Sequence, residues 1–182
     1  MQKTVKTFGH LDILINNAGI VESEPKPLHE CATDAWNSVL AVDLHGVFFC
    51  TREALKFMVK QKSGKIINIA SIFGITGSGH LFPVPVYNAA KGAVVNLTRE
   101  LGLEYAPLGI NVNAICPGFF ITNIGGGKSY TTEFDRMVSD FTPMGRQALP
   151  EELKGTAIFL ASAASDYMCG QMIVVDGGCT AK

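Results

Sequence analysis

Tyr87 and Lys91 stand four residues apart in the segment PVYNAAKGAVVNLTREL, and Ser71 closes an apolar run, KIINIAS, upstream of them. Four residues make one turn of α-helix, so a phenol and an ammonium at this spacing share a face and can reach one site. A nearby cation stabilises phenolate and draws a tyrosine down from its ordinary pKa near ~10. A tyrosine acting as general acid and base at neutral pH needs such a shift. Tyr-x-x-x-Lys is also the spacing of an ordinary surface pair, so its meaning rests on the motifs around it.

The elements that must hold these residues alternate between strand-like and helix-like segments, which predicts an α/β fold with a parallel sheet. Residues 11–16 (LDILIN) form a short apolar run stopped by NNAG, the pattern of a strand buried on both faces. Thr33 is placed to cap a long helix over residues 34–62, with Trp36, Val39, Leu40, Leu44, Val47 and Phe48 recurring at helical steps. Residues 65–70 read as a second buried strand, and the Gly- and Pro-rich residues 72–86 as a loop. A helix over 87–106 follows, then a strand over 110–115 stopped by Cys116-Pro117-Gly118. Residues 119–130 have the composition of a mobile segment, followed by helices over 132–141 and 150–161 and a last strand over 172–175. No repeat or linker divides residues 1–182, so a single domain is expected.

Composition narrows the function. The chain has 182 residues, 47% hydrophobic and 17% charged, with a net charge of -1. Neither sign of charge dominates and no Lys/Arg run occurs, which argues against nucleic acid or an acidic membrane surface as partner. No apolar run approaches the ~20 residues of a membrane helix. The five cysteines and four histidines have no metal-ligand spacing, so no metal is expected. Reduced thiols and a start without an apolar signal segment predict a cytoplasmic protein.

The motifs, taken in order, resemble the short-chain dehydrogenase/reductase family. They are NNAG at 16–19, Ser71 after its strand, Tyr87-x-x-x-Lys91, Pro117-Gly118-x-x-x-Thr122, PMGR at 143–146, PEE at 150–152 and GQMIVVDGG at 170–178. The final segment is similar to the branch containing gluconate 5-dehydrogenases and 3-oxoacyl-carrier-protein reductases. The resemblance implies a Rossmann-like, doubly wound parallel sheet and interconversion of a secondary alcohol and a ketone with NAD or NADP. It implies that Tyr87 exchanges a proton with the substrate oxygen, Lys91 holds the nicotinamide ribose, and Ser71 hydrogen-bonds the substrate. Ser78 is a weaker rival for the serine role, because the Ser71-to-Tyr87 stretch is longer than usual. Asn16, Ala18 and Gly19 are expected beside the adenosine portion, in preference to the plain reading of NNAG as a strand-ending turn. Pro117, Gly118, Phe120 and Thr122 are expected to line the nicotinamide, with a substrate lid over 123–140. A small-molecule alcohol or ketone is the expected partner, in a homodimer or homotetramer built through the two long helices.

Two features depart from the family pattern. Where the family has Asn in the middle of the long helix, supporting a water-linked proton relay, this chain reads AVDLHG and places Asp43. An amide both donates and accepts, whereas an ionised carboxylate only accepts. Asp43 is therefore expected in the catalytic set, in an altered role. The second departure is the absence of the opening strand, the glycine-rich T-G-x-x-x-G-x-G turn and the two strands that follow. The expectation is an N-terminally truncated fold lacking strands 1–3, on the order of 70 residues at ~30 or more per βαβ unit. Residues 11–16 would then be an open apolar edge. A piece of a longer enzyme, an inactive form that serves as an oligomerising or interaction domain, and a short enzyme with unusual cofactor binding all fit this expectation. Lys91 argues against a related branch, the halohydrin dehalogenases, in which arginine replaces the lysine. Gly125-Gly126-Gly127-Lys128-Ser129 invites a phosphate-loop reading, but Thr122 stands where that motif needs its first glycine.

Overall fold

Residues 1–79, 82–124 and 132–181 are described by the computed structural model of the protein. The order is α1 (Gln2–Phe8), β1 (Ile13–Asn16), α2 (Thr33–Leu40), a π-helical turn (Ala41–Gly46), α3 (Val47–Gln61), β2 (Gly64–Ile69), α4 (Pro85–Tyr105), β3 (Ile110–Pro117), α5 (Thr132–Phe141), α6 (Glu151–Ala161) and β4 (Met172–Val175). The four strands form one parallel sheet in the order β1-β2-β3-β4. Parallel neighbours need a crossover, and a helix supplies each one. No helix among the described residues is long and apolar enough to cross a membrane.

The sheet is wound on both faces. On one, Ala54, Leu55 and Met58 of α3 pack against Ile66, Ile110 and Val112, and Val94 and Val95 of α4 against Ala114 and Cys116. On the other, Leu160 of α6 packs against Ile67 and Ile115. Alternation along each strand sends successive side chains to opposite layers. That is why β2 and β3 read as nearly continuous apolar runs.

Several sequence expectations are corrected in detail. β1 is buried on one face only: Ile13 and Ile15, on the other, are 41% and 45% exposed, with no described element packed over them. The helix expected over 34–62 is interrupted by the π-helical turn that carries Asp43. Thr33 is the first residue of that helix, not its cap; Ala32 holds the cap position with no side-chain hydrogen bond. Of the stripe read from the sequence, Val39 and Val47 are buried and Leu40 and Leu44 partly so, whereas Trp36 and Phe48 are 41% and 47% exposed. α4 starts at Pro85, since proline's fixed φ and missing N–H suit a first helical turn. β3 continues through Cys116 to Pro117, because pairing with β4 extends the ladder to Pro117 and Val175. The residues of the rejected phosphate-loop reading lie outside the described residues.

One glycine gives a test of the packing. A Cβ on Gly102 of α4 would come within 2.4 Å of the backbone nitrogen of Gly170. On a free helix face, Gly to Ala stabilises by ~1 kcal/mol. Here Gly102→Ala is expected to destabilise by about 1–3 kcal/mol through overpacking against backbone. Urea denaturation decides the sign.

Candidate active site

The C-terminal ends of β1, β2 and β3 open toward one end of the sheet, where open α/β sheets hold ligands. Ser71 follows β2 in extended backbone, and its Oγ accepts from the Phe73 N–H at 3.1 Å, capping the short turn Ile72–Gly74. The Ser71 side chain also acts on the Tyr87 phenol, favouring its ionised form. Ser78 is held elsewhere: Asn88 Nδ2 donates to its Oγ at 3.0 Å, and its own N–H donates to Asn88 Oδ1. The serine next to the phenol is therefore Ser71.

Lys91 lies one turn beyond Tyr87, with its Nζ 5.4 Å from the centre of the phenol ring. The ammonium is buried and donates to the Ile69 carbonyl at 2.9 Å. It also faces Asp43, whose Oδ2 is 3.0 Å away with both side chains out of water. That pair is close by distance but lacks hydrogen-bond alignment, so among the described residues Oδ2 is a buried acceptor without a hydrogen-bond donor. The other oxygen, Oδ1, accepts the Ile20 N–H at 2.8 Å. The π-helical turn widens the backbone at Asp43, and such turns recur at functional sites.

These contacts change what the Tyr–Lys spacing achieves. Burial pushes the Tyr87 phenol up to about 12; Ser71 opposes this, while the charges of Asp43 and Glu22 add to it. The expected lowering by Lys91 does not prevail, because the Asp43 carboxylate offsets the ammonium beside the ring. At neutral pH the phenol is protonated. Cys116, at the end of β3, is likewise pushed up to about 11 by burial.

The remaining predicted residues divide into two groups. Gly19 belongs to the centre: a Cβ there would meet Asp43 Oδ2 at 3.1 Å and Lys91 Nζ at 3.3 Å. Asn16 points inward, its amide donating to Thr51 Oγ1 at 2.9 Å and Asn68 Oδ1 at 2.8 Å. The chain of polar groups runs on from Asn68 to Thr98. Ala18 is exposed. Pro117 ends β3, and Gly118 lies against Asp176, whose Cα a Cβ at 118 would approach to 2.8 Å. Phe120 bridges to Ala148, and the exposed Thr122 accepts from the Ile124 N–H. The PMGR and PEE motifs meet in a two-pronged pair between Arg146 and Glu152, at 2.7 and 2.8 Å, which pulls Glu152 down to about 2.

One residue of the site has no motif to announce it. Glu22 is 4% exposed and its carboxylate accepts from the Val86 and Tyr87 N–H groups at the start of α4. Its partner Val86 is 64 residues away, beyond the reach of any local pattern. Among the described residues, no group of three His, Cys, Asp or Glu side chains is arranged to hold a metal ion.

A family model described as enoyl-(acyl carrier protein) reductase matches residues 1–180. The chain is 42% identical to a 2-dehydro-3-deoxy-D-gluconate 5-dehydrogenase of Dickeya dadantii, over all of this chain and 70% of that protein. It is 41% identical to a cis-4-hydroxycyclohexanecarboxylate dehydrogenase of Sinomonas cyclohexanicum, over all of this chain and 70% of that one. Among solved structures, a gluconate 5-dehydrogenase from Burkholderia cenocepacia in complex with NADP and tartrate aligns at a TM-score of 0.91 and 37% identity. That alignment covers 100% of this chain and 69% of the other.

The buried pair makes a prediction about stability. Lys91→Met strands the Asp43 carboxylate and is expected to cost about 3–5 kcal/mol, as for other buried pairs broken from one side. Adding Asp43→Asn to the same chain should recover most of that loss. Urea denaturation of the single and double variants measures both steps.

Proposed function

The chain belongs to the short-chain dehydrogenase/reductase family, and from that premise we propose that Tyr87 is its general acid and base. The reaction is interconversion of a ketone and a secondary alcohol with NAD or NADP. One observation carries the assignment of Tyr87: Lys91 lies beside its ring, and Ser71 acts on its phenol, at the ligand-facing end of the sheet. The substrate class is a hydroxy or keto compound bearing a carboxylate, the feature shared by the substrates in the names of the Dickeya and Sinomonas relatives.

The residues present suit a nicotinamide ribose. Lys91 has three N–H donors, of which one serves the Ile69 carbonyl. Asp43 Oδ2 is a buried acceptor awaiting a donor. A sugar diol can both accept from the first and donate to the second. Tyr87, Lys91 and Asp43 would hold that end of the cofactor, with Pro117, Gly118, Phe120 and Thr122 along the ring and Asn16, Ala18 and Gly19 toward the adenosine. When bound, the cofactor supplies or receives the hydride.

The chain's own residues manage the proton. Ser71 and Tyr87 together hold the substrate oxygen, which fixes the carbonyl and polarises it. In reduction the phenol proton passes from Tyr87 Oη to that oxygen, leaving phenolate; in oxidation phenolate takes the alcohol proton. A phenol pushed up to about 12 is protonated at neutral pH, the form that reduction requires.

A second copy of the chain is the partner proposed for the outer helices. A groove of about 670 Å³ runs between α3 and α4, lined by Phe48, Arg52, Leu55, Val59, Leu97 and Leu101. Arg52 lies 5.4 Å from the ring centres of both Phe48 and Phe49, and both rings are about half exposed. An apolar face of this kind pairs readily with its own copy.

Tyr87→Phe is expected to lower kcat/KM for ketone reduction by about 10²–10⁴-fold. In the oxidation direction the rate should climb with pH as phenolate forms. Asp43→Asn removes a charge that raises the phenol, so that rise should move to lower pH. Steady-state rates across a pH series check both, with 2-dehydro-3-deoxy-D-gluconate and 4-hydroxycyclohexanecarboxylate as first substrates for oxidation and the ketones formed from them for reduction. Light scattering of Phe48→Glu should show a shift toward monomer.

A further inference from the structure

We propose that Glu22 is a positioning residue for the proton-transfer site: its buried carboxylate clamps the first turn of α4 and sets where Tyr87 stands against Ser71. The proposal rests on Tyr87 being the proton donor. It adds to that reading a residue from a different part of the chain.

The first turn of a helix carries N–H groups with no partner inside the helix. In α4 the cap position is Val84, whose side chain has nothing to accept with, and Pro85 has no N–H. Val86 and Tyr87 are thus the donors left over. Glu22 Oε1 accepts from the Val86 N–H at 2.7 Å and from the Tyr87 N–H at 3.2 Å, with Oε2 at 3.3 Å from the same Tyr87 nitrogen. Hydrogen bonds to an ionised acceptor are stronger than neutral ones, and the positive end of a helix favours an anion. A buried carboxylate needs such partners. Among the described residues no lysine or arginine forms an ion pair with Glu22, so the helix start itself holds the charge.

The location of this clamp separates it from an ordinary helix cap. One of the two clamped N–H groups belongs to Tyr87 itself, so a tilt of this turn displaces the phenol directly. Glu22 also lies on the loop that touches the site at two further points. The Ile20 N–H donates to Asp43, and Gly19 lies against the Asp43–Lys91 pair. A single seven-residue stretch, 16–22, therefore links β1 to the π-helical turn and to α4. The charge has a second consequence. Around the phenol, Glu22 from this loop and Asp43 from the π-helical turn favour its protonated form, and Cys116 from β3 adds to them. Lys91 is the cation beside the ring.

Two substitutions separate clamp from charge. Glu22→Gln keeps the Oε1 acceptor for Val86 and removes the charge; Glu22→Ala removes both. In Glu22→Gln we expect a melting temperature near that of the parent. The pH–rate profile for alcohol oxidation should move to lower pH, since the charge that favours the protonated phenol is gone. In Glu22→Ala we expect kcat to fall by about tenfold or more with KM little changed, as for a displaced catalytic group. Amide exchange at Val86 and Tyr87 should quicken in Glu22→Ala and stay slow in Glu22→Gln. Unchanged kcat and pH profile in both variants, whatever happens to melting, would reduce Glu22 to a structural cap and overturn the proposal. Full turnover in Tyr87→Phe overturns the underlying assignment instead. The two failures are told apart because amide exchange at Val86 and Tyr87 reads the clamp without any turnover.

Discussion

The ammonium of Lys91 and the carboxylate of Asp43 face each other at 3.0 Å with both side chains buried, and the elements around them are arranged to make that contact tolerable. Two charges taken out of water are costly unless each is paired and its hydrogen-bonding capacity met. The π-helical turn brings Asp43 inward, the Ile20 N–H takes one of its oxygens, and the end of β2 offers the Ile69 carbonyl to Lys91. Gly19 passes close by because it has no side chain to obstruct the pair. Most of the contacts that define the site pass through this point. The sheet matters to function chiefly because it brings β1, β2 and α4 to the same place.

The pair also explains the electrostatics of the phenol. An ammonium beside a tyrosine ring would stabilise phenolate, but a carboxylate 3.0 Å from that ammonium offsets its field. Burial then prevails, and the phenol keeps its proton through neutral pH. One oxygen of Asp43 is left without a donor, which leaves the site short of one hydrogen bond where a ligand hydroxyl could supply it. Glu22 adds a second buried carboxylate, which accepts from the Val86 and Tyr87 backbone N–H groups. The phenol thus stands among two carboxylates and one already engaged ammonium.

Much of this was legible before any coordinates, and the reason differs from residue to residue. β4 and α5 fall where their apolar and polar patterns place them, since side-chain alternation and helical recurrence are local properties. The order of Ser71, Tyr87 and Lys91 was readable for the same reason: a strand end and one helical turn bring them together. The far side of β1 was read as buried because ILI is apolar. Its exposure depends on what packs there, which the strand cannot state. Asn16 stood out in the sequence through NNAG, but that its amide reaches Thr51 and Asn68 is decided by other elements.

By itself the sequence determined the α/β alternation, the proximity of Tyr87 to Lys91, and Asp43 in the middle of the long helix. Each follows from the spacing of residue types along a regular element. The tertiary structure alone decided which charge faces which. It brought Asp43 onto Lys91, placed Glu22 under the start of α4, and raised the phenol where local reasoning had lowered it. The physical reason is that burial and Coulomb interaction sum over neighbours in space. At this site those neighbours come from loop 16–22, the π-helical turn, the end of β2 and α4.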